Sequence, residues 1–280
     1  MRAGAGVPIF GAMPTWTEVV LRASGHRGCR PAVTDVRTGD VLTYDMLAKQ
    51  VGHAAAALRA RGLLPGEPVI VHLPPGHDYP LALHAAAAAG ALVIPLAADM
   101  DRDAFYERLS SSRARMMITD ATLAERAAEA VGDSRIRRIL TFAEVAETVC
   151  PDGVDDPSGP GPDAPALTFD GRRGLSHAHV VAELGRLVPE AMIRERDFVL
   201  VGTCEPREQA AVFDLALMGG AHIVAAPGAT AGECRRLIEE YGITVAAVPQ
   251  GMVREPAESQ WLRVPVSVYG HTMDLVMPRR

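Results

Sequence analysis

The feature that most constrains this chain is an alternation of two hydrophobic periods. Short apolar runs such as "PVIVH", "ALVIPL", "ARMMITD", "DFVLVG" and "HIVAA" are separated by longer segments whose apolar residues recur every three to four positions. A strand that is apolar at nearly every residue is buried on both faces, which is the habit of parallel sheets covered by helices on each side. The fold class expected is therefore α/β, with layered sheets of mainly parallel strands, helices on both faces and successive βαβ units.

Local signals place the elements. In "YDMLAKQVGHAAAALRARG" the residues Leu47, Val51, Ala54, Ala55 and Leu58 fall on one helical face, with Thr43 as N-cap and Gly62 as the stop. "LLPGEPVIVHLP" is a Pro-Gly turn feeding a strand. Helices are expected near 77–90 and 101–112, from about Ser176, near 207–218 and over "AGECRRLIEEYG", each followed by a strand. The run Leu81–Ala98 is long enough to raise the question of a membrane span. It contains His84, Gly90 and Pro95, and its many alanines contribute little to insertion, so a helix running into a buried strand is expected and no membrane partner. "CPDGVDDPSGPGPDAP" has nothing to bury and reads as a linker. The expected organisation is a first α/β subdomain over 1–150, a linker over 151–165 and a second subdomain over 166–280.

A formal charge of −6 argues against a nucleic-acid partner. The densest basic cluster, Arg135, Arg137 and Arg138, reads as a solvated helix end or strand edge. Cys29, Cys150, Cys204 and Cys234 are widely spaced without a CxxC pair, so reduced thiols and a cytoplasmic location are expected, with no metal site. Lys49 is the one lysine, which excludes lysine chemistry elsewhere.

Candidate chemistry is sparse. "DMDRD" opens like a calcium loop, but Ala104 and Ser110 stand where the turn glycine and bidentate glutamate belong, so acidic residues at a helix start explain it. His177 and His179, two apart on a helix, point to different faces and cannot share a metal. "GLSHA" is a loose nucleophile elbow, and Ser176 with Asp197 or Asp214 and His222 or His271 would give the order of a serine hydrolase. "EPRE" and the carboxylates of "IEEYG" read as solvated helix residues. Between the strand "ALTF" and the helix beginning at Ser176 lies "DGRRG", a glycine-containing loop of the kind that can present backbone N–H groups to phosphate.

Taken in order, "LTYDMLAKQVGHAAAALRARGLLPGEPVIVHLPPGHDYPLALHAAAAAGALVIPL", "FYERLSSSRARMMITD" and "DLALMGGAHIVAAP…CRRLIEEYGITVAAVPQGM" resemble the adenylate-forming superfamily of AMP-dependent synthetases and ligases, from Thr15 to Met252. The resemblance implies the two βα subdomains of that family's N-terminal domain. It also implies ATP-dependent activation of a carboxylate through a Ser/Thr/Gly-rich phosphate loop ending in Pro-Lys-Gly and followed by Thr-His. Here Ser176-His177 match the Thr-His, but the loop is reduced to Asp170–Leu175, without lysine or hydroxyl, and Asp170 adds negative charge where anions would sit. Gly171, Arg172, Arg173, Gly174, Ser176 and His177 are the implied remnant of the nucleotide site, and Cys204 and Glu205 stand where the family's acyl pocket has an aromatic residue and histidine. "VYGHTMD" imitates the Tyr-Gly-x-Thr-Glu run with Met273 in the place of the magnesium-binding glutamate, and the catalytic lysine of the small C-terminal domain has no counterpart.

The expectation is a degenerate member without ATP-dependent acyl activation and without catalytic residues, binding a small molecule or a protein. ATP and magnesium would serve only if residual activity survived. A homodimer, or a separate chain supplying the C-terminal domain or an acyl carrier, is the expected partner. The alternatives are a residual or split acyl ligase and, behind it, the hydrolase at Ser176.

Overall fold

Successive residues of one strand point to opposite sides, and in this protein they enter different cores. Val69 and Val71 join one buried cluster while Ile70 joins another, and Val199 and Val201 are divided from Leu200 in the same way. The computed structural model describes residues 13–22, 24–132, 134–148, 159–249 and 261–278.

The first described elements are α1 (Trp16–Leu21), α2 (Ser24–Arg27), β1 (Pro31–Asp35) and β2 (Val41–Thr43). A βα series follows: α3 (Tyr44–Ala60), β3 (Pro68–His72), α4 (Asp78–Ala88), β4 (Leu92–Leu96), α5 (Arg102–Ser111), β5 (Met116–Thr119), α6 (Ala121–Ala130), β6 (Arg138–Thr141) and α7 (Phe142–Ala146). The second series is β7 (Pro165–Leu167), β8 (Leu175–Ser176), α8 (His177–Ala191), β9 (Phe198–Val201), α9 (Pro206–Gly219), β10 (His222–Ala225), α10 (Ala231–Tyr241) and β11 (Val245–Ala247), closed by β12 (Trp261–Val268) and β13 (His271–Pro278).

These strands make a six-stranded sheet ordered β6-β5-β3-β4-β7-β8 and a seven-stranded sheet ordered β12-β13-β11-β9-β10-β1-β2. The first is parallel except for β8, and the second is parallel through β11, β9, β10 and β1. The largest core lies between the sheets and takes in buried residues of α1, α3, α4, α8 and α9. Phe105 and Leu109 of α5 with Ala127 of α6 cover the outer face of the six-stranded sheet, and Cys234 and Leu237 of α10 cover that of the other. The expected layered, mainly parallel α/β fold is the one observed.

The layering explains the long apolar run. Leu81–Ala98 is α4 turning into β4, and α4 is buried on all sides from Tyr79 to Ala87 because it sits between the sheets. No helix among the described residues is long and apolar enough to cross a membrane.

The sheets do not divide where the linker does. β1 pairs with β10 (Val33 opposite Ile223), so the beginning of the chain completes the seven-stranded sheet, while β7 and β8 complete the six-stranded one. Cys150 and residues 151–158 of the expected linker lie outside the described residues, as do Gln250, Gly251 and Met252. "VYGHT" is a hairpin. Tyr269 (φ 49°) and Gly270 (φ 76°) both adopt positive φ, the two-residue turn whose twist matches its strands, and Met273 is buried in the core on β13.

Candidate functional site

In open parallel sheets, ligands bind beyond the carboxyl ends of the strands. The "DGRRG" loop leaves the carboxyl end of β7, and the segment holding Cys204 and Glu205 leaves that of β9. Between them is a cavity of about 360 Å³ whose lining includes Phe169, Asp170, Arg173, His179, Arg207 and Tyr269.

The loop is organised by its own aspartate. Asp170 Oδ1 accepts from the backbone N–H groups of Arg172 (2.8 Å) and Arg173 (3.0 Å) and from Thr168 Oγ1 (3.1 Å). Those bonds, Arg173 N–H foremost, hold the exposed carboxyl down to about 2. Gly171 takes φ 70°, which lets the chain reverse around the carboxylate. The N–H groups that would face an anion are thus turned onto a side chain of the same loop.

Of the implied nucleotide residues, Arg173 lines the cavity beside Asp170. Arg172 and Gly174 are exposed. Ser176 is the N-cap of α8: its Oγ accepts from His179 N–H and lies 2.7 Å from His179 Nδ1. His177 is turned inward, fully buried, with Nδ1 accepting from Trp16 N–H at 3.3 Å, and burial pushes it down to about 4. The sequence therefore placed side by side two histidines that the fold sends to different environments.

The hydrolase arrangement is not assembled. Asp214 is buried between Trp16 Nε1 (2.7 Å) and His84 Nε2 (3.0 Å), and Asp197 accepts from Arg194 N–H and Thr244 Oγ1. His222 Nε2 meets Thr34 Oγ1 at 2.8 Å and His271 Nε2 meets Glu208 Oε1 at 3.1 Å, so none of these candidates is paired with Ser176. Each is held by a neighbour that the order of residues along the chain does not reveal.

On the other side α9 brings Arg207 to the cavity, while Cys204 and Glu205 just before it are outside the lining. Glu205 is the N-cap of α9, its Oε2 accepting from Glu208 N–H at 2.8 Å, with Pro206 in the first helical turn. Burial pushes the Cys204 thiol up to about 11, so it is not a thiolate nucleophile at neutral pH. Arg207 lies 5.2 Å over the Phe169 ring, and Phe169 lies 5.1 Å from Tyr269, joining the three elements around the cavity. Arg207 Nε and Tyr269 Oη are buried without a hydrogen-bond partner among the described residues. Glu205, Glu208 and His271 bring ligand atoms within 4.8 Å of one another and could together hold a divalent cation. "EPRE" showed the two carboxylates, but His271 arrives from the hairpin with no sequence signal.

Comparison with known proteins now bears on this geometry. A sequence model described as AMP-binding enzyme matches residues 21–167, more than half of the chain. The chain belongs to the AMP-binding enzyme family. Enterobactin synthase component F of Escherichia coli (strain K12) is 37% identical over 105 residues, which are 38% of this chain and 8% of that protein. Among solved structures, the N-terminal domain of FACL13 from Mycobacterium tuberculosis superposes with a TM-score of 0.69 at 18% identity, over 84% of this AMP-binding family chain and 62% of that one. A putative long-chain-fatty-acid CoA ligase from Rhodopseudomonas palustris gives 0.71 at 19%, over 86% and 64%. The N-terminal subdomain of NpsA from Klebsiella oxytoca, in complex with 3-hydroxybenzoyl-AMSN, gives 0.65 at 22%, over 83% and 59%. The chain therefore spans less than two thirds of each of these relatives.

Proposed function

We propose that this member of the AMP-binding enzyme family does not activate carboxylates with ATP and instead uses the cavity beside β7 to bind a small molecule. The observation that carries this reading is the Asp170 carboxylate on the N–H groups of Arg172 and Arg173. A triphosphate seeking those donors meets a fixed negative charge, and the remnant loop has neither the lysine nor the hydroxyls that hold phosphate oxygens while pyrophosphate departs. The residues present do not fit ATP and magnesium in the family's manner. His177, whose counterpart follows the family's loop, is buried against α1 rather than at the cavity.

The cavity favours a ligand with an apolar body and a hydrogen-bond acceptor. Phe169, Leu175 and Tyr269 supply apolar walls, and Arg173 and Arg207 of the lining supply guanidinium donors. Pyrophosphate exchange into ATP, measured with the purified chain and a broad panel of carboxylates, is the test. Exchange indistinguishable from a no-protein control is expected, and carboxylate-dependent exchange above it overturns the proposal.

A further inference from the structure

A concentration of positive charge lies at the opposite edge of the six-stranded sheet. Met116 opens β5, Pro68 opens β3 and Arg138 opens β6, and all three line one cleft of about 520 Å³ at the amino ends of these parallel strands. Arg113, Arg115, Arg135, Arg137 and Arg138 surround it, and among the described residues Glu67 is the one acidic residue in its lining. Sequence showed three of these arginines as a cluster; the fold adds Arg113 and Arg115 from the turn that enters β5.

The five arginines are exposed, and local contacts fix how several of them are held. Arg137 Nη1 is anchored on the carbonyls of Ser134 (3.1 Å) and Ile136 (2.9 Å), which fixes its fork. The guanidinium of Arg138 packs where Gly62 has no side chain, its Nη1 3.3 Å from the position a Cβ would take. Arg113 is held at φ 57° just after α5, a position that glycine or asparagine fills at lower steric cost. Arg115 faces Glu67 at 3.6 Å, leaving an excess of four positive charges among the described lining residues of a chain whose formal charge is −6. Such an excess in one concavity is relieved by an anion of matching charge, and planar guanidinium forks pair bidentately with phosphate oxygens.

We infer that this cleft binds a small anion carrying a chain of two or more phosphates. The cleft has the volume of a small-molecule site, and the acidic chain as a whole disfavours a nucleic-acid backbone.

Calorimetric titration of tripolyphosphate into the full chain at low ionic strength tests this, with backbone amide shifts followed in parallel. Saturable one-to-one binding is expected, with shifts at 113–116 and 135–138. The exposed pair Arg135→Ser/Arg138→Ser should weaken it by at least about tenfold. Arg235→Ser/Arg236→Ser, which removes the same charge from α10, should leave it within about twofold. Absence of saturable binding, equal loss in both pairs, shifts confined to 170–173, or equally tight binding of an oligoglutamate peptide would each overturn the assignment.

Discussion

Asp214 on α9 is buried at 0% exposure, and its two oxygens are divided between Trp16 Nε1 of α1 (2.7 Å) and His84 Nε2 of α4 (3.0 Å). Replacing it with alanine leaves two buried donors without an acceptor. At about 1–3 kcal/mol for each orphaned group the cost is about 2–6 kcal/mol. That range centres near 4 kcal/mol, a large share of the 5–15 kcal/mol that roughly holds a domain together. With a urea slope of about 3 kcal/mol/M, the denaturation midpoint of Asp214→Ala should fall by about 1.3 M at unchanged slope. Asp214→Asn should cost only about 1–2 kcal/mol, because His84 can donate from Nδ1 toward Thr17 Oγ1 (3.5 Å) and accept at Nε2 from the new amide. Urea unfolding followed by tryptophan fluorescence and circular dichroism reads both variants. A midpoint shift below about 0.3 M for Asp214→Ala, or equal costs for the two variants, would refute the view that this network fixes α9 between the sheets.

Two further outcomes follow from packing and titration. His72 and His177 are fully buried and pushed down to about 4 by burial, so they take up a proton from about pH 6.5 downward only when unfolded. The unfolded state then binds more protons, and stability should fall between pH 6.5 and pH 4 by roughly 2–3 kcal/mol for each histidine, about 5 kcal/mol together; a flat profile of unfolding free energy over that window contradicts the assignment. Gly219→Ala places a Cβ 2.7 Å from the Ile193 carbonyl oxygen and should cost about 1–3 kcal/mol. Gly185→Ala, in open space on α8, should stabilise by about 0.5–1 kcal/mol, and thermal unfolding of the two variants in opposite directions is the check.

What could be read from the sequence follows the range of the interactions involved. The N-cap Thr43, the turn feeding β3 and the buried run that became α4 and β4 are local signals, and each lies where the periodicity puts it. The partner of β1 could not be read, because Val33 meets Ile223 across most of the chain. The hairpin at Tyr269 and Gly270 was hidden for a different reason. Its first turn residue is a tyrosine at positive φ, not the asparagine or aspartate that normally announces such a turn. The site divides in the same way. Asp170 bonds N–H groups two and three residues on, so its negative charge was visible in the loop, whereas the meeting of Glu208 with His271 and of Asp214 with Trp16 and His84 depends on tertiary packing.

The central claim is that the loop after β7 is already filled by its own carboxylate. The most direct measurement is the response of the Arg172 and Arg173 backbone amide resonances to pyrophosphate at neutral pH. Both N–H groups are held by Asp170 Oδ1, at 2.8 and 3.0 Å, so the account predicts that neither resonance moves as pyrophosphate is added. A saturable shift of both would show the loop open to phosphate and contradict it.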